Sequence, residues 1–148
     1  MSNVHRDSSV GVRLLDCDHR EIVEIFDEVE RYVAAGNSMQ RVSRLLKSLT
    51  HISLSHFALE ESMMLATRFP GLELHRLEHQ WLDEQTRTLE TRLKRTGINP
   101  DDMMLKFLAQ SHIGHIQHGD LKFGSWLGNT PIGGPAEPAL AENESAMA

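Results

Sequence analysis

The chain has a single cysteine, Cys17, so no internal disulfide can form within it and no thiolate metal cluster can be built. It also lacks any excess of positive charge. Formal net charge is -6 at pH 7, and the Lys and Arg residues are interspersed with acids, so a phosphate-seeking surface is absent and nucleic acid is not an expected partner. No stretch approaches the ~20 apolar residues of a membrane span, and Met1 to Arg13 contains no apolar signal core. A soluble cytoplasmic protein is therefore expected, with a monomer as the default state. Proline is scarce, and three of the five lie beyond Leu127. Residues 128–148 are Pro/Gly/Ala-rich and read as a disordered tail, and residues 1–12 read as an N-terminal arm. The 148 residues suffice for one domain with a sizeable core, over 13–127. No strand signal is present.

Punctuation divides 13–127 into four helices. Gly36-Asn37-Ser38 reads as a stop followed by a new N-cap. Phe69-Pro70-Gly71 breaks the next run. Gly97 supplies another stop, with Asn99 as an expected N-cap and Pro100 as the first helical residue. Between these breaks apolar positions step by three and four, the mark of helices packed along one seam. The first seam is Leu15, His19, Ile22, Phe26, Val29, Val33; the second is Leu45, Leu49, Ile52, His56, Met63. The third is His75, His79, Leu82, Leu89, Leu93; the fourth is Leu105, Leu108, His112, His115, Phe123, Leu127. Short connections favour antiparallel neighbours, which predicts an all-α, up-down-up-down four-helix bundle.

What the chain has in abundance is histidine, nine of 148 residues. One histidine on an apolar face is ordinarily a satisfied core residue. Here histidines occupy seam positions on all four helices, with Glu60 and Asp120 beside them. Burying so many polar groups without partners would cost roughly 1–3 kcal/mol each, and a metal supplies the partners. His5 and His51 lie off the seams and read as surface. His118 sits beside the cluster but off the seam. Asp16 and Glu61 are candidates for orienting ligand imidazoles by accepting their free N–H. The Met63-Met64 and Met103-Met104 pairs read as core filler.

Four motifs occur in order. They are Asp16-Cys17-Asp18-His19, His56-Phe57-Ala58-Leu59-Glu60-Glu61, Phe69-Pro70 ahead of His75-Arg76-Leu77-Glu78-His79, and His115-Ile116-Gln117-His118-Gly119-Asp120. On four predicted helices they resemble the hemerythrin family, from about Val10 to Leu127. The resemblance implies two iron ions (Fe2+/Fe3+) with an oxo or hydroxo bridge. His75, His79 and His115 would hold one, His19 and His56 the other, and Glu60 and Asp120 would bridge them. Imidazole and carboxylate suit iron. Two octahedral ions offer twelve positions; five histidines, two bridging carboxylates and one shared oxygen fill eleven. The vacancy falls on the iron with two histidines. Ile22, Phe57, His112 and Ile116 are expected to wall an O2 pocket there.

The function implied is reversible O2 binding for storage, delivery or sensing, with NO or small anions as other ligands of the open position. Neutral imidazole outnumbers carboxylate, unlike the Glu-rich sites of di-iron oxidases, and this argues for milder oxidation states. One departure stands out. The family pattern Trp-Leu-x-x-His-Ile is Ser111-His112-Ile113-Gly114-His115-Ile116 here, so His112 replaces leucine beside the open position. This keeps an alternative in view: an enzyme reducing peroxide or nitric oxide, with His112 as proton donor. A sensor whose tail docks a partner is a third reading. Finally, the step of five from His115 to Asp120 is out of register for a regular α-helix, which predicts a single-turn π-bulge eased by Gly119.

Overall fold

The computed structural model describes residues 9–36, 39–97 and 100–129. The described residues form helices α1 (Arg13–Ala34), α2 (Met39–Ala66), α3 (Leu72–Thr96) and α4 (Asp102–His115). A π-helical turn (Ile116–Asp120) then carries the last rod into α5 (Leu121–Asn129) without a break. No strand occurs among the described residues. α1 packs on α2, α2 on α3, α3 on α4 and α4 back on α1, closing an up-down-up-down four-helix bundle. No helix among the described residues is long and apolar enough to cross a membrane.

The helix ends follow local chemistry. Gly97 stops α3 in the left-handed region, φ 64°, where its N–H donates to Leu93 O at 2.9 Å. The next helix starts later than expected. Asp101, not Asn99, is its N-cap, because its extended backbone lets Oδ1 accept the Met104 N–H at 2.8 Å. Pro100 thus precedes the cap instead of opening the helix. Asn37, Ser38 and Asn99 lie outside the described residues, as does His5. Of the expected arm, Ser9 and Val10 are tied down by Asp16, whose carboxylate accepts from Ser9 Oγ and Val10 N–H at 2.9 and 2.7 Å. Val10 is buried. Helix α5 runs to Asn129, two residues into the expected tail; the rest of that tail lies outside the described residues.

Two apolar clusters sandwich a polar layer. The larger holds twelve buried residues among those described, including Phe26, Val29, Leu46, Leu49, Leu89, Leu93, Leu105 and Leu108. Each fully buried aliphatic side chain in this cluster contributes about 1.5–3 kcal/mol. The smaller consists of Val10, Leu15, Met64, Phe69, Leu72 and Phe123. Helices α1, α2, α3 and the rod formed by α4, the π-turn and α5 each contribute to both clusters, and the buried histidines make up the layer between them.

The α2 seam differs from the expected one. Its buried face is Val42, Leu46, Leu49, Ser53, His56, Glu60 and Met64, while Leu45, Ile52 and Met63 are only partly buried. His56 and Glu60 must face the centre together. Two turns, or seven residues, back from Glu60 and His56 lie Ser53 and Leu49 rather than Ile52. Met103 is also not core filler, being 80% exposed.

Candidate metal centre

Five histidines and two carboxylates meet in the polar layer, all buried: His19, His56, Glu60, His75, His79, His115 and Asp120. Donor atoms of Glu60, His75, His79, His115 and Asp120 lie within 4.8 Å of one another, and those of His19, His56 and Asp120 form a second such group. Asp120 belongs to both. Its Oδ2 faces His19 Nε2 at 2.9 Å and His56 Nε2 at 3.4 Å; its Oδ1 faces His115 Nε2 at 2.9 Å and His75 Nε2 at 3.2 Å. Glu60 Oε2 lies 2.8 Å from His75 Nε2, 3.2 Å from His79 Nε2 and 3.9 Å from His56 Nε2.

Asp120 reaches this position through the π-turn. The Leu121 N–H bonds to Ile116 O, five residues back, and the extra residue in the turn brings Asp120 to the same face as His115. Gly119 is part of the device. A Cβ there would sit 3.0 Å from His115 Cε1 and 3.2 Å from His75 Cε1, so any side chain would press on two of the imidazoles.

The spacing fits a cation better than a hydrogen-bond network. Donor atoms at roughly 2.1 Å from one octahedral metal lie about 3 Å apart when adjacent. His79 Nε2, His115 Nε2, Asp120 Oδ1 and Glu60 Oε1 are buried without a hydrogen-bond partner. The first three nonetheless have opposite-type atoms at 2.9–3.2 Å. Close approach without hydrogen-bond alignment is what converging lone pairs produce. Electrostatics agrees. Burial pushes the Asp120 carboxyl up, but His115, His19, His56 and His75 more than offset this and hold it well below the usual range. Glu60 is likewise lowered, by His75 and His79 against burial. Burial depresses His75, yet Asp120 and Glu60 outweigh it and raise the imidazole to about 9. His115 is raised for the same reason, by Asp120 against its burial. Two buried anions that draw protons onto their neighbours describe a site demanding positive charge.

Carboxylates hold the imidazoles from behind. Glu61 accepts from His79 Nδ1 at 2.7 Å, and Glu78 accepts from His115 Nδ1 at 2.7 Å. Asp18 lies 3.4 Å from His56 Nδ1. Glu61 thus does what its position suggested, whereas Asp16 does not: it secures the N-terminal segment, and Asp18 takes the place by the imidazole. Glu78 was not singled out from sequence because it is half exposed and off the seam. Its place next to His79 in the chain is the one signal the sequence offers.

The family model of the Hemerythrin HHE cation binding domain matches residues 10–127. The chain belongs to the hemerythrin family. It is 24% identical over 143 residues to a bacteriohemerythrin of Stenotrophomonas maltophilia (strain R551-3), covering 84% of this chain and 91% of that one. It is 23% identical over 114 residues to a bacteriohemerythrin of Pseudomonas aeruginosa (strain LESB58), covering 77% and 73%. No solved structure matches it significantly. The hemerythrin domain implies non-haem iron binding, and the donor set and spacing of the polar layer fit such a metal.

The expected pocket residues Ile22, Phe57, His112 and Ile116 are all buried. The Phe57 ring stacks on His79 at 4.0 Å and lies parallel to His112 at 6.5 Å. His112 also meets Phe26 at 5.3 Å. Its Nε2 is 3.0 Å from Thr86 Oγ1, and that hydroxyl donates to Leu82 O at 2.9 Å. The single Thr86 proton is thereby used, so Nε2–H is the donor to Thr86 and Nδ1 carries no proton. Burial depresses His112 to about 3, keeping it neutral. His51 and His118 are exposed.

Proposed function

We propose that this protein binds O2 reversibly at a non-haem di-iron centre, for storage, delivery or sensing. His75, His79 and His115 would hold one iron, His19 and His56 the other, with Glu60, Asp120 and an oxo or hydroxo group bridging. The observation that carries this reading is the division of Asp120, whose two oxygens each face a separate histidine set. The iron pair, when bound, supplies the electrons that O2 takes up and returns.

The chain's own residues supply the rest. Glu61 and Glu78, by accepting the Nδ1 protons of His79 and His115, turn the Nε2 lone pairs inward. Ile22, Phe57 and Ile116 exclude water from the layer. The two-histidine set has the fewer donors and is where an exogenous ligand would enter. The alternative, an enzyme reducing peroxide or nitric oxide with His112 as proton donor, has less support. The only ring proton of neutral His112 is committed to Thr86.

The test is anaerobic Fe(II) loading followed by metal analysis and optical spectra through repeated cycles of air and argon. Two irons per chain and an oxygenated spectrum that returns in each cycle are expected. A protein that takes up no iron defeats the metal assignment; one that loads iron but consumes peroxide or nitric oxide, without cycling, supports the alternative.

A further inference from the structure

One turn from the metal-facing residues, toward the larger apolar cluster, each helix contributes one buried side chain. Ile22 is three residues after His19, Ser53 three before His56, Leu82 three after His79, and His112 three before His115. Ser53 is 3% exposed and His112 2%. α2 and α4 each pack against α1 and α3, so they occupy one diagonal of the bundle. Ser53 and His112 share that diagonal; Ile22 and Leu82 share the other. The layer is therefore half polar, directly against the centre, with Phe57 packed between His79 and His112.

Ser53 is the anomaly. A helical hydroxyl ordinarily bonds to the carbonyl four residues back, as Thr50, Thr67, Thr86 and Ser111 do with Leu46, Met63, Leu82 and Phe107. Ser53 does not. Its Oγ is buried with no hydrogen-bond partner, the one hydroxyl so placed among the described residues. A buried donor without a protein partner implies a partner of another kind. His112 is its complement: with Nε2–H given to Thr86, the ring offers the layer an unprotonated Nδ1.

We propose that Ser53 is the hydrogen-bond donor of a small-ligand pocket beneath the metal centre, selecting small anions and their protonated forms, with the Thr86-oriented His112 as acceptor for a ligand's own proton. This rests on the di-iron reading, which supplies the iron such a ligand would bind. It reassigns the polar chemistry of the pocket from a proton donated by His112 to one donated by Ser53.

The full-length protein, loaded with iron and oxidised, is titrated with azide and followed optically, as wild type and as Ser53→Ala. A hydrogen bond to an anion lost from a buried site should weaken azide binding about tenfold. Wild-type binding with Ser53→Ala unchanged, within about twofold, overturns the proposal. No azide binding by the wild type defeats the iron reading itself, and the proposal with it. Thermal unfolding of the metal-free proteins gives an independent readout. Ser53→Ala should unfold at the same temperature or higher, because no protein partner is lost. A fall of more than about 4 °C would show that the hydroxyl has a structural partner, and the proposal fails.

Discussion

The two histidine sets of the centre are built to different tolerances. On the α3/α4 side, His79 and His115 each have a carboxylate behind them at 2.7 Å, from Glu61 and Glu78, and Glu60 lies in front. On the α1/α2 side, the carboxylate behind His56 is that of Asp18, at the longer distance of 3.4 Å. An imidazole held at both nitrogens has its ring orientation fixed before metal arrives; one held loosely can adjust as coordination changes. The difference marks the α3/α4 half as the more firmly held, the anchor, and, on the proposed di-iron reading, the α1/α2 half as the one where a ligand would exchange at least cost.

The most drastic way to break this comparison is to remove the residue both halves share. Asp120→Ala should reduce iron from two per chain to well below one, measured by metal analysis after anaerobic loading. Glu60→Ala should strip the anchor side first, since its Oε2 is nearest His75 and His79. If Asp120→Ala retains both irons, the bridging role belongs elsewhere.

A finer cut leaves every donor in place. Glu61→Gln and Glu78→Gln should each weaken iron retention by about 10–100-fold, read by competition with a chelator. Asp18→Asn, with its longer contact, should cost less than either. Equal losses on the two sides would remove the distinction between anchor and exchange site. Gly119→Ala tests the same anchor from the backbone, because the new Cβ would crowd His115 and His75, both already held in front by carboxylates. Iron retention should fall there too.

The sequence revealed the two halves unequally, for physical reasons. The π-turn before Asp120 was legible because a five-residue step cannot keep one face on a regular helix, and a π-turn is the least costly remedy. On α2, Leu49, His56 and Glu60 are buried as expected, but Leu46, Ser53 and Met64 take the inward places of Leu45, Ile52 and Met63. Ile52 is the more apolar side chain, but His56 and Glu60, fixed toward the metal layer, dictate which face turns inward, and that face carries Ser53. Thr86 stood in an unremarked gap of seven between Leu82 and Leu89, a space an inward helix face must fill. Asp16 and Asp18 are two residues apart and so about 200° apart around α1. Only the packed structure shows that the first faces the N-terminal segment and the second His56. Glu78 carries no seam signal at all, since its role depends on the neighbour that α4 brings to it.

The pH dependence of the metal-free protein sharpens the comparison with the smallest perturbation. The anchor side holds the proton that metal must displace: His75 is raised to about 9, and His115 is raised as well. A histidine whose folded pKa lies above its unfolded value of 6.5 contributes stability that is complete below 6.5 and disappears as pH climbs through the folded value. His112 has the opposite sign. Lowered to about 3, it withholds a proton that the unfolded chain takes up, so stability falls as pH drops below 6.5 toward that value. The metal-free fold should therefore be most stable near pH 6.5 and lose melting temperature on both sides of it. His75→Gln should flatten the alkaline limb, and His112→Leu the acidic one. Iron loading should reverse the alkaline limb, because bound metal replaces the His75 proton and is favoured as pH rises. Melting curves of both forms between about pH 5 and pH 9.5 check this. An alkaline limb that persists when His75 and His115 are both replaced by Gln would place the stored proton somewhere other than the anchor.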